Sequence, residues 1–310
     1  MPGFAAPAPP VGTPMTRNTT VCIIGVGNMG AGMATNLLRH NWVVHVFDID
    51  ESPCQALRAL GACTHSSASI AASQANVTIV CVVTAEQTRD VLFGQGGVAA
   101  AMRLGQTVVL CSTMAPGDVE AIASALWPMG LFCIDAPMSG GPARAADGSM
   151  SLMVACPDNV YLRQQHLLQA LSSSVFRIGE RPGDAARTKL VNNLAAGINL
   201  VAAAEVLAMA AHMGLDIART LEVIEQSSGQ SWIGSDRMRR AIAGDHAPLA
   251  RMGLLQKDTR LAVQAAREAG FYGPLGAAAR DVFAAASAAG LAAHDDSALL
   301  QWLAGPHPDP

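Results

Sequence analysis

Lys189 and Asn193 stand four residues apart in Lys189-Leu-Val-Asn-Asn193, inside a stretch with little other charge. On a helix this spacing puts both side chains on one face. Leu190, Leu194 and Ile198 form an adjacent apolar stripe that packs inward. Lysines are seldom fully buried. One that is partly desolvated has its pKa pulled down and can exchange a proton. Its charge also stabilises an alkoxide forming nearby. The plainer reading is a lysine at a domain junction whose head snorkels to water. A second candidate is Ser139-Gly140-Gly141, after an apolar run. Two glycines leave backbone N–H groups unobstructed beside a hydroxyl, a set that can hold a carboxylate. The residues alone are equally consistent with a Gly-Gly turn capped by serine.

A third group is Gly25-Val26-Gly27-Asn28-Met29-Gly30, a GxGxxG directly after an apolar run and before a helical stretch at 31–38. In that context the first glycine permits a tight turn and the second lets backbone approach a pyrophosphate. The third lets helix and strand pack closely. A dinucleotide site also needs an acid at the end of the second strand for the adenosine ribose. Asp48 follows Gly30 by 18 residues and meets that need. Asp50 is a second acid that alternation points elsewhere. Ile49 and Asp50, not arginine, follow Asp48, so a 2′-phosphate would meet repulsion and no guanidinium. NAD is expected, with NADP less favoured.

These groups need a scaffold. Strand-like runs rich in Val, Ile and Cys occur at 21–25, 43–48, 77–83, 107–111, 131–136, 151–155 and 175–178, with helical segments between them. Continuous apolar runs of this length suit strands buried on both faces. From residue 181 the strand signal stops and helices are predicted at 184–213, 217–225, 232–241, 253–269 and 274–289. The fold class expected is an α/β Rossmann-type doubly wound sheet followed by an all-α second domain. The domains are a disordered leader at 1–19, with Met15 as an alternative start, a dinucleotide-binding domain at 20–180, an all-helical substrate and dimerisation domain at 181–304, and a loose tail at 305–310.

Composition narrows the field. The 310-residue chain is 51% hydrophobic, but alanine dominates that share, so the figure signals close-packed helices rather than membrane spans. The longest apolar stretch, 190–213, is interrupted by Asn192, Asn193, Asn199 and Glu205 and reads as a buried helix. A net charge of -4 and no basic cluster give no reason to expect nucleic acid. The seven cysteines form no CxxC, and the histidines are scattered. Reduced thiols, a cytoplasmic location and no metal site are expected. An Ala-rich helical half with little charge points to a homodimer or homotetramer.

Four ordered blocks carry a family resemblance. They are Met29 with Gly32-Met-Ala-Thr-Asn36-Leu37, Asp135-Ala-Pro-Met-Ser139-Gly-Gly141 through Gly148, Lys189-Leu-Val-Asn192-Asn193, and Lys257-Asp258 followed by Leu261-Ala262. Together they resemble the β-hydroxyacid dehydrogenase family over residues 21–300. The resemblance implies oxidation of a small hydroxy-carboxylate by hydride transfer to NAD, with Lys189 as general acid/base. It implies that Asn193 orients the substrate hydroxyl or the lysine, and that Ser139, Gly140 and Gly141 hold the carboxylate. Thr113 would lie on the nicotinamide side, Val83 and Thr84 along the cofactor by backbone contacts, and Lys257 would reach back to the cofactor.

Thr84-Ala-Glu-Gln87 through Gly94, Ser231-Trp232, Asp236-Arg237-Met238 and Asp295-Asp296-Ser297 are similar to the L-threonate dehydrogenase subgroup. That would make L-threonate the substrate, oxidised to its 2-oxo acid. Met138 stands where the family has valine, Asn192-Asn193 is closer to hydroxyisobutyrate dehydrogenases, and 250–256 departs from the threonate pattern. 3-Hydroxyisobutyrate dehydrogenase and tartronate semialdehyde reductase therefore stay open. A non-catalytic dinucleotide-binding scaffold is the reading from another class, and Lys189 argues against it. Trp232 reads either as pocket lining or as core.

Overall fold

The computed structural model describes residues 19–245 and 247–305. The expected leader up to residue 18, including Met15, and the tail from residue 306 lie outside the described residues. Nine strands lie in one sheet: β1 (Thr20–Ile24), β2 (Val43–Phe47), β3 (Cys63–Thr64), β4 (Val77–Val80), β5 (Thr107–Leu110), β6 (Phe132–Asp135), β7 (Met138–Ser139), β8 (Ser151–Ala155) and β9 (Ser174–Gly179). Their order is β3-β2-β1-β4-β5-β6-β8-β7, with β9 also pairing to β8. β1 to β6 run parallel, while β8 is antiparallel to β6 and β7 and parallel to β9.

The central parallel strands β1, β4, β5 and β6 are buried along nearly their whole length because helices cover both faces. Alternate residues feed two cores. Val21, Ile23, Val44 and Val46 pack with Met33 and Leu37 on one side. Cys22, Ile24, Val80, Val108 and Leu110 pack with Ile122 and Leu126 on the other. Beyond β9 the described residues form helices and short 3-10 turns with no further strand, the helices being Asp184–His212, Ile217–Glu225, Trp232–Ile242, Met252–Glu268, Pro274–Ala288 and Leu299–Ala304. Leu200, Leu207, Met238, Phe283 and Leu299 form their core. The architecture is thus the doubly wound sheet and all-helical second unit that the patterning predicts.

Three local differences have physical causes. The run expected at 77–83 leaves the ladder after Val80. The chain turns there because Gly25 comes so close that a Cβ on it would lie 2.6 Å from the Cys81 carbonyl oxygen. The first helix begins at Asn28 rather than 31, so it rises directly out of the glycine loop. β3 and β7 have two residues each, too short for any periodicity to reveal.

The helix Asp184–His212 is long and apolar enough, by length and composition alone, to cross a membrane. Here its start is wedged under the sheet, with Ala185 against Met153 and Ala155 of β8. Its later residues form the spine of the helical core. Of the cysteines, five are buried, Cys81 is half-buried, and Cys63 on the edge strand β3 is exposed.

Candidate active site

The glycine loop sits at the C-terminal end of β1. Gly25 has φ +89°, a left-handed conformation that favours glycine, and its N–H donates to the Phe47 carbonyl at 3.0 Å. A Cβ on Gly30 would lie 2.0 Å from the Gly25 carbonyl oxygen, so the helix starts in backbone contact with the turn. Gly27 is different: nothing lies within 4 Å of where its Cβ would be. It caps the helix Asn28–Arg39 without a side-chain hydrogen bond, and the first turn holds no acid. The free N–H groups at Asn28 and Met29 and the dipole therefore face open space, a cradle that fits a pyrophosphate.

Asp48 follows β2 and is half-buried. Its Oδ2 accepts from the Val26 N–H at 2.7 Å and its Oδ1 from the Asp50 N–H at 3.0 Å. Val26 is buried, and its N–H is spent on anchoring Asp48 to the glycine loop. Asp50 caps the helix Glu51–Ala59 by accepting from the Ser52 N–H. Ile49 beside it is 93% exposed, so its own side chain does not cover Asp48. Val83 is exposed, and the N–H groups of Val83 and Thr84 both donate to Gln87 Oε1 at 3.0 and 3.1 Å. The Thr84 hydroxyl accepts from the Gln87 N–H, completing a capping box. These two residues offer a ligand their surface and not their amide protons.

A second cluster bridges the sheet and the helical half. Lys189 is 6% exposed on the helix Asp184–His212. Among the described residues no hydrogen bond or ion pair engages its ammonium. Burial pulls its pKa down from 10.5 to about 8; the Asp258 carboxylate opposes this and Lys257 adds to it. Asp258, on the helix Met252–Glu268, is buried, and its Oδ2 accepts from Asn193 Nδ2 at 2.6 Å. Its Oδ1 lies 2.8 Å from Lys257 Nζ. That approach is an ion pair without hydrogen-bond alignment, which leaves Oδ1 buried and unmatched by any donor. The Lys257 ammonium donates instead to the Thr113 carbonyl at 2.7 Å, across from helical half to sheet. Lys189, Asn193, Thr113 and Lys257 are thus brought together around Asp258. The sequence carried Asp258 only as half of the Lys257-Asp258 block.

Asp135 positions this cluster. At the end of β6 its Oδ2 accepts from the N–H groups of Gly183 and Ala186 at 2.8 and 3.0 Å. The start of the lysine helix is thereby fastened to the sheet. Burial pushes the Asp135 carboxyl up to about 6, against the pull of those N–H donors.

Ser139 ends β7, and Gly140 and Gly141 follow with φ +126° and +79°. The helix Gly141–Asp147 then begins, with no side-chain cap. No hydrogen bond joins Ser139 to Lys189 among the described residues, so these two groups are held by separate elements. The Ser139 loop is tied to the glycine loop instead. A Cβ on Gly32 would lie 2.8 Å from the Ala145 Cβ and 3.0 Å from the Pro142 carbonyl, so the two loop helices pack closely, with only the Ala145 methyl at the contact. Trp232 is not core: it is 55% exposed at the start of its helix, beneath the Arg144 guanidinium. Asp236, Arg237, Asp295 and Asp296 prove to be parts of an ion cluster inside the helical half, with Arg237 Nε on Asp296 Oδ1 at 2.7 Å.

Residues 20–179 match the model for the NAD binding domain of 6-phosphogluconate dehydrogenase. Residues 183–303 match that for the NAD-binding region of NADP-dependent 3-hydroxyisobutyrate dehydrogenase. The chain belongs to the β-hydroxyacid dehydrogenase family. It is 38% identical to an L-threonate dehydrogenase of Cupriavidus necator, over 94% of this chain and 97% of that one. It is 32% identical to a 3-hydroxyisobutyrate dehydrogenase of Pseudomonas aeruginosa, over 86% and 91%. A solved structure named as a 3-hydroxyisobutyrate dehydrogenase of Salmonella typhimurium superposes with a TM-score of 0.86 at 35% identity, covering 92% and 99%. The chain is thus an NAD-dependent oxidoreductase that acts on a hydroxy acid.

Proposed function

We propose that this dehydrogenase oxidises L-threonate to its 2-oxo acid with Lys189 as the general acid/base. The observation that carries the mechanism is the buried, unpartnered Lys189 ammonium, whose pKa falls to about 8. A lysine in that range exchanges protons near neutral pH, where an ordinary one stays charged. The substrate rests on the 38% identity to an L-threonate dehydrogenase along nearly the whole chain.

Bound NAD supplies the hydride acceptor. The chain's own groups do the rest. The uncapped N–H groups at Gly27, Asn28 and Met29 hold the pyrophosphate, with Gly25 and Gly30 shaping the turn and Asp48 meeting the ribose hydroxyls. Val83 and Thr84 lie along the cofactor by their surface. Thr113 lines the nicotinamide side, and Lys257 braces it through the Thr113 carbonyl. The Ser139 hydroxyl and the Gly140 and Gly141 amides hold the substrate carboxylate. Neutral Lys189 Nζ accepts the hydroxyl proton. Asn193, held by Asp258, orients the hydroxyl toward that nitrogen. In the reverse direction the Lys189 ammonium returns the proton.

3-Hydroxyisobutyrate is the second reading, favoured by the name of the superposing Salmonella structure. A homodimer or homotetramer is also proposed. Met209, Met213 and Leu215 at the end of the long helix, with Phe271, Tyr272 and Leu275, are exposed apolar groups that suit a second copy.

NADH absorbance with L-threonate, D-threonate, 3-hydroxyisobutyrate and D-glycerate tests the reading, beside Lys189→Ala. Turnover of L-threonate with NAD, lost in the variant, is expected. Preference for another acid moves the substrate. Undiminished activity in Lys189→Ala refutes the lysine mechanism.

A further inference from the structure

The anion site proposed at Ser139–Gly141 offers only neutral donors. Arg144 stands over it. It lies three residues into the helix that begins at Gly141, and helical side chains lean toward the helix N-terminus. A Cβ on Gly140 would lie 2.9 Å from Arg144 Cδ and 3.2 Å from its Cβ, so the arginine stem rests on the Gly140 backbone. At the far end, the guanidinium carbon lies 5.3 Å from the Trp232 ring centroid, on the helical half of the molecule. The arginine therefore spans from the serine-glycine loop to the opposite wall.

Stacking occupies only the face of a guanidinium. Its five N–H donors lie in the plane and remain available. Among the described residues none of them is taken: no carboxylate lies within 4.0 Å of Arg144, and its side chain makes no hydrogen bond. The nearby carboxylate, Asp147, is engaged by Ser149. Trp232 thus holds a charged, planar fork in one orientation at the rim of a loop built for a carboxylate.

We infer that Arg144, stacked on Trp232, is a specificity-determining residue that grips the substrate carboxylate beside the Ser139–Gly141 donors. Trp232 is its positioning residue. The inference rests on the hydroxy-acid reading above. A planar fork suits a carboxylate in two parallel hydrogen bonds, where a lysine contributes a point charge. Arg144 therefore acts in binding, and proton exchange stays with Lys189.

The test uses the full-length protein with saturating NAD and L-threonate as probe. KM and kcat are read by NADH absorbance for wild type, Arg144→Ala, Arg144→Lys and Trp232→Phe, and affinity by calorimetry for the same set carried in the Lys189→Ala background, where no turnover adds heat. Arg144→Ala is expected to raise KM and Kd about tenfold or more while kcat stays within about twofold, the size of a charge-assisted hydrogen bond at a partly open site. Arg144→Lys falls between, and Trp232→Phe, which keeps a stacking face, stays near wild type. Kd unchanged in Arg144→Ala, in a protein that binds the acid and loses turnover in Lys189→Ala, overturns the arginine's role alone. A fall in kcat at unchanged KM makes Arg144 a structural strut and also overturns it. Wild type that binds no acid of the panel overturns this inference together with the hydroxy-acid reading.

Discussion

Replacing Lys189 by methionine should abolish turnover and yet stabilise the folded protein. The lysine is 6% exposed, and among the described residues no carboxylate forms an ion pair with it, Asp258 opposing the shift only in part. Its pKa falls from 10.5 to about 8, with burial as the largest cause. At 1.36 kcal/mol for each tenfold change in proton affinity, holding the charged form at pH 7 costs the fold roughly 3 kcal/mol. Methionine has a similar length and no charge, so it removes that cost. The gain is trimmed because Asp258 loses an attractive neighbour, although Lys257 stays 2.8 Å from it. With an m-value of about 3 kcal/mol/M, the urea midpoint should rise by up to about 1 M at pH 7. The sign with pH is fixed. Between about 8 and 10.5 the unfolded wild-type lysine keeps a proton that the folded one has lost. Wild-type stability therefore rises through that window and the advantage of the variant shrinks. Urea unfolding at pH 7 and pH 10, followed by circular dichroism, reads both. A variant less stable than wild type at pH 7, or a gain independent of pH, would refute the reasoning.

The same lysine sets the pH profile of catalysis. In the oxidation direction log kcat/KM should climb with unit slope to a bend near pH 8 and then level, because the neutral amine is the working form. Reduction should fall above the same pH, and a profile with no bend between pH 7 and 9 would remove Lys189 from the proton path. Light scattering of the purified protein should give two or four times the 32.0 kDa chain mass, and a monomer mass would leave the apolar groups around Met213 and Tyr272 without their proposed partner.

The parts of the site legible in the sequence are those whose chemistry is local. The glycine loop needs small residues at fixed offsets from a strand end, and Asp48 must end the next strand, so both stand out along the chain. Lys189 and Asn193 share a helix face and could be paired by spacing alone. Asp258 could not: it meets Asn193 across 65 residues, and a Lys-Asp pair on a helix usually means a solvated surface. Asp135 stands in the sequence only as the first residue of a block, because its hold on the Gly183 and Ala186 N–H groups depends on where the lysine helix docks. Trp232 reads in the sequence more readily as core than as pocket lining, because an apolar helix usually buries its aromatics, yet its ring is exposed under Arg144. The fold itself was readable because buried parallel strands need long apolar runs. Two-residue strands such as β7 take their pairing from β8 and leave no pattern of their own.

The contact between Gly32 and Ala145 has a consequence for anyone redesigning this molecule. The helix that rises from the glycine loop and the helix that follows the serine-glycine loop meet with no side chain larger than the Ala145 methyl between them. Flexible side chains absorb small shifts, but abutting backbones pass them on. The two loops therefore form one mechanical part. A graft that exchanges the nucleotide loop without its facing helix would misplace the acid-binding turn, so the unit of exchange has to run from β1 through residue 148.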